Sequence, residues 1–284
     1  MAHTSQERYS ALVDTKLRKT LVTKDNLIFN NRYEGTPTAG AVKIPVRDTE
    51  VAVKNYDKTT GADLETGGTT YLTLTIDNDV AVNEIIDNLD AVSVPDGIVA
   101  ERLDSAGYSL GLSMDRKSID KLETTAGVTI ATVKTALTDT TAYKAVLTAK
   151  KTLSRKGVPN DGRWLIASPE FMEVLLTDDK FVKQGDLSQE LVQAGAVGKI
   201  AGFIVFESNN LMFENDTIVA SKKTSTEFIV GHPTWCHRVD SWSVPVGIKD
   251  LTNQFIGSSA VQGRKVYGIM ISKPETVYVK RVEA

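Results

Sequence analysis

The spacing of apolar residues changes along the chain, and each change marks a different kind of element. Tyr9, Leu12, Val13, Leu17 and Leu21 fall on one helical face, with Lys16, Arg18 and Lys19 around the rest, which predicts a short amphipathic helix in need of an apolar partner. A polar, irregular stretch through Asn30, Asn31, Gly35, Pro37 and Gly40 follows, so this helix is expected to stand apart as an N-terminal arm, or else to pack on its own domain. From Val42 the period becomes two. Val42, Ile44 and Val46, continued by Val51 and Val53, form one strand, and Leu72, Leu74 and Ile76, between Tyr71, Thr73 and Thr75, form another. Tyr56 to Gly68 joins them and is rich in Asp, Thr and Gly, which reads as a long hairpin with a flexible tip. A two-stranded ribbon is marginal in water, so its apolar stripe must be covered by a larger sheet of its own domain or by a neighbouring subunit.

After Pro95 the period returns to that of a helix. Asp96 is placed to cap it, Val99, Leu103, Ala106, Leu110 and Met114 form its stripe, and Ile119 and Leu122 continue it. About 28 residues at 1.5 Å per residue make roughly 40 Å, which is long for a compact domain. Gly107 and Gly111 suit close packing of a strand or helix. A second helix is predicted over Thr140 to Lys156, with Tyr143, Val146, Leu147 and Leu153 inward, Gly157 as C-cap and Pro159 as a stop. Lys150, Lys151, Arg155 and Lys156 cluster at its end, where cations suit the helix dipole; a DNA-facing patch is the weaker explanation. Trp164 to Ala167 reads as a buried strand, followed by a helix start at Ser168, Pro169 and Glu170 with Phe171, Met172, Leu175 and Leu176 on its buried face. Further strands are expected at Phe203 to Phe206, Glu227 to Val230, Lys265 to Ile271 and Thr276 to Lys280.

Composition narrows the class. With 41% apolar and 24% charged residues the chain is an ordinary folded protein, and 284 residues suffice for a substantial core. Net charge −3 gives no broad attraction to phosphate. No apolar run approaches the roughly 20 residues of a membrane span, and the N-terminus lacks the apolar core of a signal peptide. The single Cys236 cannot form an internal disulfide, which suits a reducing compartment.

Candidate chemistry is sparse. His232, Cys236 and His237 form the one cluster with a thiol and imidazoles, suited in principle to a nucleophile pair or zinc ligands. On a helix His232 and Cys236 would share a face while His237 turned away. That leaves two ligands where structural zinc needs four, and the remaining His3 lies in the arm. A packed Cys236 beside Trp235 is the expectation. Ser168 follows a strand but lacks the flanking glycines of a nucleophile elbow and reads as an N-cap. Gly195, Gly198 and Gly202 match neither the dinucleotide nor the P-loop spacing. No catalytic residue, cofactor or metal site is assigned, and enzyme activity is not expected.

Several stretches carry a family resemblance: Gly157-Val-Pro-Asn-Asp-Gly-Arg163-Trp-Leu-Ile-Ala-Ser-Pro169, Leu175-Leu-Thr-Asp-Asp-Lys-Phe181, and Gly195-Ala-Val-Gly-Lys-Ile-Ala-Gly-Phe203-Ile-Val-Phe-Glu-Ser-Asn-Asn-Leu211. Gly231-His232 and Gly263-Arg-Lys-Val-Tyr-Gly268 followed by Pro274 extend them. In order and spacing the chain resembles, over nearly its whole length, the major capsid proteins of tailed bacteriophages, which share the Hong Kong 97-type capsid fold. The resemblance implies an α+β fold with an N-terminal arm (1–40), an extended β-hairpin loop (41–78), a peripheral domain with a long spine helix (79–126), an axial domain (127–243), and a return to the peripheral sheet (244–284). It implies self-assembly as hexamers and pentamers into an icosahedral shell around a double-stranded DNA genome, with only non-specific proximity to that DNA and no membrane. The protein would be made in the bacterial host cytoplasm and located in the virion. A separate scaffolding protein is expected, because the arm begins almost at Met1, along with a portal and a decoration protein. Lys54 and Lys58 lie where some relatives form Lys to Asn cross-links, but no acceptor or acidic catalyst is identified and cross-linking is not expected. Alternatives are an encapsulin-like nanocompartment shell, a tail or baseplate component, and a small thiol enzyme using Cys236.

Overall fold

The computed structural model describes residues 16–24, 26–35, 40–46, 50–62, 67–88, 98–177, 182–183, 196–211, 224–251 and 256–283. The elements in chain order are β1 Ala41–Val46, β2 Thr70–Thr75, β3 Asn78–Asp87, α1 Ile98–Thr124, β4 Thr129–Val133, α2 Asp139–Arg155, β5 Trp164–Ala167, α3 Pro169–Leu176, β6 Val182–Lys183, β7 Ala196–Ile200, β8 Phe203–Glu207, β9 Thr224–Gly231, β10 Cys236–Asp250, β11 Ser258–Ile271 and β12 Tyr278–Glu283. Seven strands form one mixed sheet in the order β4-β12-β9-β5-β8-β7-β6. A second sheet has the order β10-β11-β3, and β1 and β2 form a separate two-stranded ribbon.

Alternation along β5 explains how the large sheet is covered. Trp164 and Ile166 point to one face and Leu165 and Ala167 to the other, all fully buried. On the second face Leu165, Val205, Phe228 and Val230 pack under α2 and α3, through Val146 and Leu153 of α2 and Phe171 and Leu175 of α3. On the first face Trp164, Ile166, Phe206 and Ile229 meet Ile119 and Leu122 from the end of α1, Tyr267 and Ile269 of β11, and Val22, Ile28 and Phe29 of the N-terminal segment. Burying a large aliphatic or aromatic side chain is worth about 1.5–3 kcal/mol, so this first face is what joins the two sheets.

The helix starts and stops follow local chemistry. Ser168 accepts the Phe171 N–H at 3.2 Å and Pro169 occupies the first turn of α3. At the end of α2, Gly157 adopts φ +74° and the Val158 N–H reaches back to the Leu153 carbonyl at 3.1 Å, a Schellman closure that only the left-handed residue permits. Arg163 is buried there with no carboxylate partner among the described residues. It donates to the carbonyls of Pro159 (2.7 Å) and Val158 (2.6 Å) and to the Ser154 hydroxyl (3.2 Å), so its cation sits against the negative end of α2.

Three expectations need correction or restriction. Tyr9, Leu12 and Val13 of the predicted first helix lie outside the described residues, as does the predicted cap Asp96, but residues 16–24 are not helical. Their backbone is engaged elsewhere: the Lys19 N–H donates to the Tyr108 hydroxyl at 2.7 Å and the Thr23 N–H to Asp115 at 2.8 Å, in place of carbonyls one turn back. Leu17 is fully exposed and Leu21 lies against Gly111, so the close approach at that glycine is made by an extended segment and not by a strand or helix. Finally, the predicted return to one sheet over 244–284 is divided. β10 and β11 pair with each other from Cys236↔Ile271 to Asp250↔Ser259, whereas β12 inserts between β4 and β9 in the seven-stranded sheet.

Lys16 pairs with Glu101, Arg18 with Asp104, Lys19 with Tyr108 and Thr23 with Asp115. The segment therefore runs along α1 in the same direction. The seven residue steps from Lys16 to Thr23 at about 3.3 Å cover roughly 23 Å, and the fourteen steps from Glu101 to Asp115 at 1.5 Å cover about 21 Å, so the two stay in step.

Candidate functional site

The β1–β2 ribbon pairs from Ala41↔Thr75 to Val46↔Thr70. Its base is held firmly: Ile44 and Leu74 are buried with Val239, and Tyr33, Val42 and Ile76 pack around them. Gly268 of β11 makes this possible, because a Cβ there would lie 2.4 Å from the Thr75 carbonyl oxygen and 2.6 Å from Leu74 Cδ2. Beyond Val46 the support ends. Val51, Val53 and Tyr56 are 89%, 100% and 75% exposed, and Tyr71 on β2 is also exposed. The outer segment closes on a local turn, in which the Gly61 N–H donates to the Asp57 carbonyl at 2.8 Å and the Asp57 carboxylate accepts the Thr59 N–H at 2.6 Å. The backbone N–H groups of Thr59 and Thr60, both donating to that carboxylate, hold it below its ordinary range. The tip is thus ordered by itself while its apolar side chains have no cover from the described residues.

Exposed apolar side chains also occur on the three-stranded sheet. Trp242 and Ile248 on β10, Ile85 on β3 and Ile256 beside the β10–β11 turn are exposed. β10 is an edge strand in that sheet, a place where soluble chains usually carry charge or are capped by another element. Scattered exposed apolar residues such as these are ordinary, but the run of Val51, Val53 and Tyr56 on the outer β1–β2 ribbon marks a contact surface.

The candidate reactive residues are placed in structural roles. Pro233–Trp235 is a single 3-10 turn, and Cys236 begins β10, so the helical geometry that would align His232 with Cys236 does not occur. The Thr234 N–H donates to His232 Nδ1 at 3.2 Å, leaving Nε2–H to donate to the Asp161 carbonyl at 2.7 Å. His237 Nδ1–H donates to Asn30 Oδ1 at 2.8 Å, and Nε2 meets the Ser272 hydroxyl at 3.1 Å. Burial pushes the His237 imidazole down to about 4 and the Cys236 thiol up to about 12. A neutral, inaccessible thiol is a poor nucleophile. Cys236 packs in the core on the first face of the seven-stranded sheet, while Trp235 packs against the core on the second face and lies 5.4 Å from the His232 ring. Among the described residues no three His, Cys, Asp or Glu side chains converge as metal ligands. Ser168 is an N-cap, and Gly202 forms the tight turn between β7 and β8 at φ +90°. Lys54 and Lys58 are exposed on the outer ribbon; Gly195 and His3 lie outside the described residues.

What sequence reasoning missed is the set of residues that seat the ribbons: Gly268, Val239, and the Asp115 and Arg238 pair that grips the N-terminal segment. The recurrence of Gly263 and Gly268 within one strand was their only signal, since glycine in a strand interior often marks close backbone approach.

A family model described as phage capsid protein matches residues 79–279, more than two thirds of the 284-residue chain. Among solved structures the chain is similar to one from Mycobacterium phage Che8 at 23% identity and TM-score 0.76, covering 97% of this chain and 96% of that one. It is also similar to the capsid of cyanophage P-SCSP1u at 14% identity and TM-score 0.76, covering 98% and 92%, and to the capsid of a native GTA particle at 10% identity and TM-score 0.68, covering 99% and 96%. No curated protein matches it. With that match over most of its length, and with the α+β Hong Kong 97-type fold these structures share, the chain belongs to the phage capsid protein family.

Proposed function

We propose that this chain is the major capsid protein of a tailed phage and assembles with copies of itself, as hexamers and pentamers, into the icosahedral shell that encloses the double-stranded DNA genome. The observation that carries this reading is the β1–β2 ribbon, clamped at its base over Gly268 and bare of cover at Val51, Val53 and Tyr56. Burial of such side chains on a neighbour is worth about 1.5–3 kcal/mol each, and many weak contacts held at high effective concentration make a durable shell. On this reading β1, β2 and the segment between them form the extended loop. The helix α1 is the spine of a peripheral domain with β3, β10 and β11, and the seven-stranded sheet with α2 and α3 is the axial domain.

The role implies further partners: a separate scaffolding protein, a portal and a decoration protein. Packaged DNA would lie nearby without specific contact, as the net charge of −3 suggests. Synthesis would occur in the host cytoplasm and the final location would be the virion. Membership of a phage capsid family favours a genome container over a nanocompartment for an enzyme, and the nucleic-acid content of particles distinguishes the two.

The test is a triple variant, Val51→Ser, Val53→Ser and Tyr56→Ser. Because these side chains are exposed in the single chain, its melting temperature is expected to stay unchanged while closed particles are lost in sedimentation. Particles formed as readily as by the parent chain would show that the ribbon does not drive assembly.

A further inference from the structure

We propose that a cavity on the seven-stranded sheet receives a basic side chain from the C-terminal end of α2 of a second copy of this chain, forming a head-to-tail contact. The proposal rests on the shell-building reading and names one of its contacts.

The cavity has a volume of about 400 Å³ and lies between α3, β9 and the connection from β4 to α2. Leu137, Phe171 and Val174 give it apolar walls, Thr226 and Glu227 lie at its polar side, and Glu170 and Glu173 add negative charge. Glu227 is only 8% exposed. Its Oε1 accepts the Leu137 N–H at 2.7 Å, but among the described residues Oε2 has no hydrogen-bond donor, and neither does the buried Thr226 hydroxyl. Burial raises the Glu227 carboxyl above its ordinary range, against the opposing effects of the Leu137 N–H and the charge of Lys280. An unsatisfied buried acceptor costs roughly 1–3 kcal/mol. An ammonium or guanidinium donating to Oε2 removes that cost through a charge-assisted hydrogen bond, and its aliphatic stem fits apolar walls.

The complementary group is carried by the same chain. Lys151, Arg155 and Lys156 are exposed at the end of α2 and form no ion pair among the described residues. Leu137, which lines the cavity, immediately precedes the N-cap of that helix. The acidic cavity and the basic turn therefore sit at opposite ends of a 17-residue helix, about 25 Å apart at 1.5 Å per residue. One chain cannot bring its own two patches together, but successive copies can. A contact between two different patches of identical subunits is heterologous, and repeating it about an axis closes a ring.

Shells assembled from equal parts of ordinary and ¹⁵N-labelled chain, treated with a carbodiimide that joins carboxylates directly to lysine amines with loss of water, test this. Linkages from Glu170 or Glu173 to Lys151 or Lys156 are expected, about half of them joining an ordinary peptide to a labelled one. The variant Glu170→Lys with Glu173→Lys is expected to raise the protein concentration needed for assembly at least tenfold at an unchanged melting temperature. Adding Lys151→Glu, Arg155→Glu and Lys156→Glu is expected to recover most of that loss. Shells whose Glu170 and Glu173 link only within one chain or to a different protein, or charge reversals that leave assembly unaffected or are not rescued, would overturn the contact and leave the capsid reading standing. Failure of the unmodified chain to form any shell, alone or together with its proposed scaffolding protein, would overturn both.

Discussion

Asp115 of α1 accepts both the backbone N–H and the hydroxyl of Thr23 on one oxygen, each at 2.8 Å. Its other oxygen takes the Asn210 amide at 2.7 Å. From β10, Arg238 donates to the carbonyls of Thr23 (2.6 Å) and Lys24 (3.3 Å) and lies 5.8 Å over the Phe29 ring. The N-terminal segment is thus gripped by a buried acid on one element and a buried base on another, with Val22, Ile28 and Phe29 inserted beside them.

Replacing Asp115 by Ala is therefore expected to free this segment. Hydrogen bonds to a buried charge are worth roughly 1.5–3 kcal/mol, and an overall loss of about 3 kcal/mol in urea unfolding is predicted. Trypsin should then cut after Lys19 and Lys24 well before the folded domains are digested. If cleavage at these lysines keeps its parental rate, the segment is held by its apolar anchors alone.

Gly268→Ala tests the seat of the ribbon. A methyl group 2.4 Å from the Thr75 oxygen cannot be accommodated without moving β2 away from β11. Overpacking of this kind costs about 1–3 kcal/mol. The melting temperature should fall and assembly should be lost together, whereas Gly61→Ala at the open tip, where φ is +76° but no atom lies within 4 Å, should strain only the turn.

His237 predicts the pH dependence. Its folded value of about 4 lies below the ordinary 6.5, so the folded state binds fewer protons than the unfolded state between those limits. Its contribution is complete above about pH 6.5 and is lost as pH falls toward 4. Each tenfold change in proton affinity is worth about 1.4 kcal/mol, which gives up to about 3 kcal/mol across the range. Urea unfolding at pH 7.5 and pH 5 should show the loss in the parent chain and a smaller loss in His237→Gln. Equal losses in both would assign the effect to other groups.

The strongly periodic elements were legible in the sequence. α1 ends two residues beyond Leu122, the last position of its expected stripe, α2 starts one residue before the expected Thr140, α3 starts after its expected cap Ser168, and the β1 and β2 pairing follows the alternation of Ile44 and Leu74. The missed strands have mixed patterns for a physical reason. β3 reads Asn-Asp-Val-Ala-Val-Asn-Glu-Ile-Ile-Asp because only Ile86 is buried, and the outer half of β10 reads Trp-Ser-Val-Pro-Val-Gly-Ile, without a clean alternation, because it is exposed or half-buried on both faces. The first segment reads as a helix because Leu17 and Leu21 keep a helical period, yet its backbone donors are taken by Tyr108 and Asp115, which lie some ninety residues away. Contacts between copies were legible only as uncovered apolar side chains, since a single chain carries half of each interface.

Cys236 separates a structural role from a chemical one. A fully buried thiol pushed to about 12 should resist iodoacetamide in the folded chain up to about pH 9 and react only on unfolding. Cys236→Ala should assemble as the parent does, at a modest cost in stability from the lost sulfur packing. Rapid labelling of the native protein would contradict this placement.

The most direct measurement of the central claim is electron microscopy of particles formed by this chain, expressed with and without the scaffolding protein proposed above. Closed icosahedral shells built from rings of this subunit, with the outer part of each β1–β2 ribbon covered by an adjacent copy, are the predicted result. Open tubes or isolated rings, or a chain that stays monomeric with Val51, Val53 and Tyr56 in solvent, would contradict it.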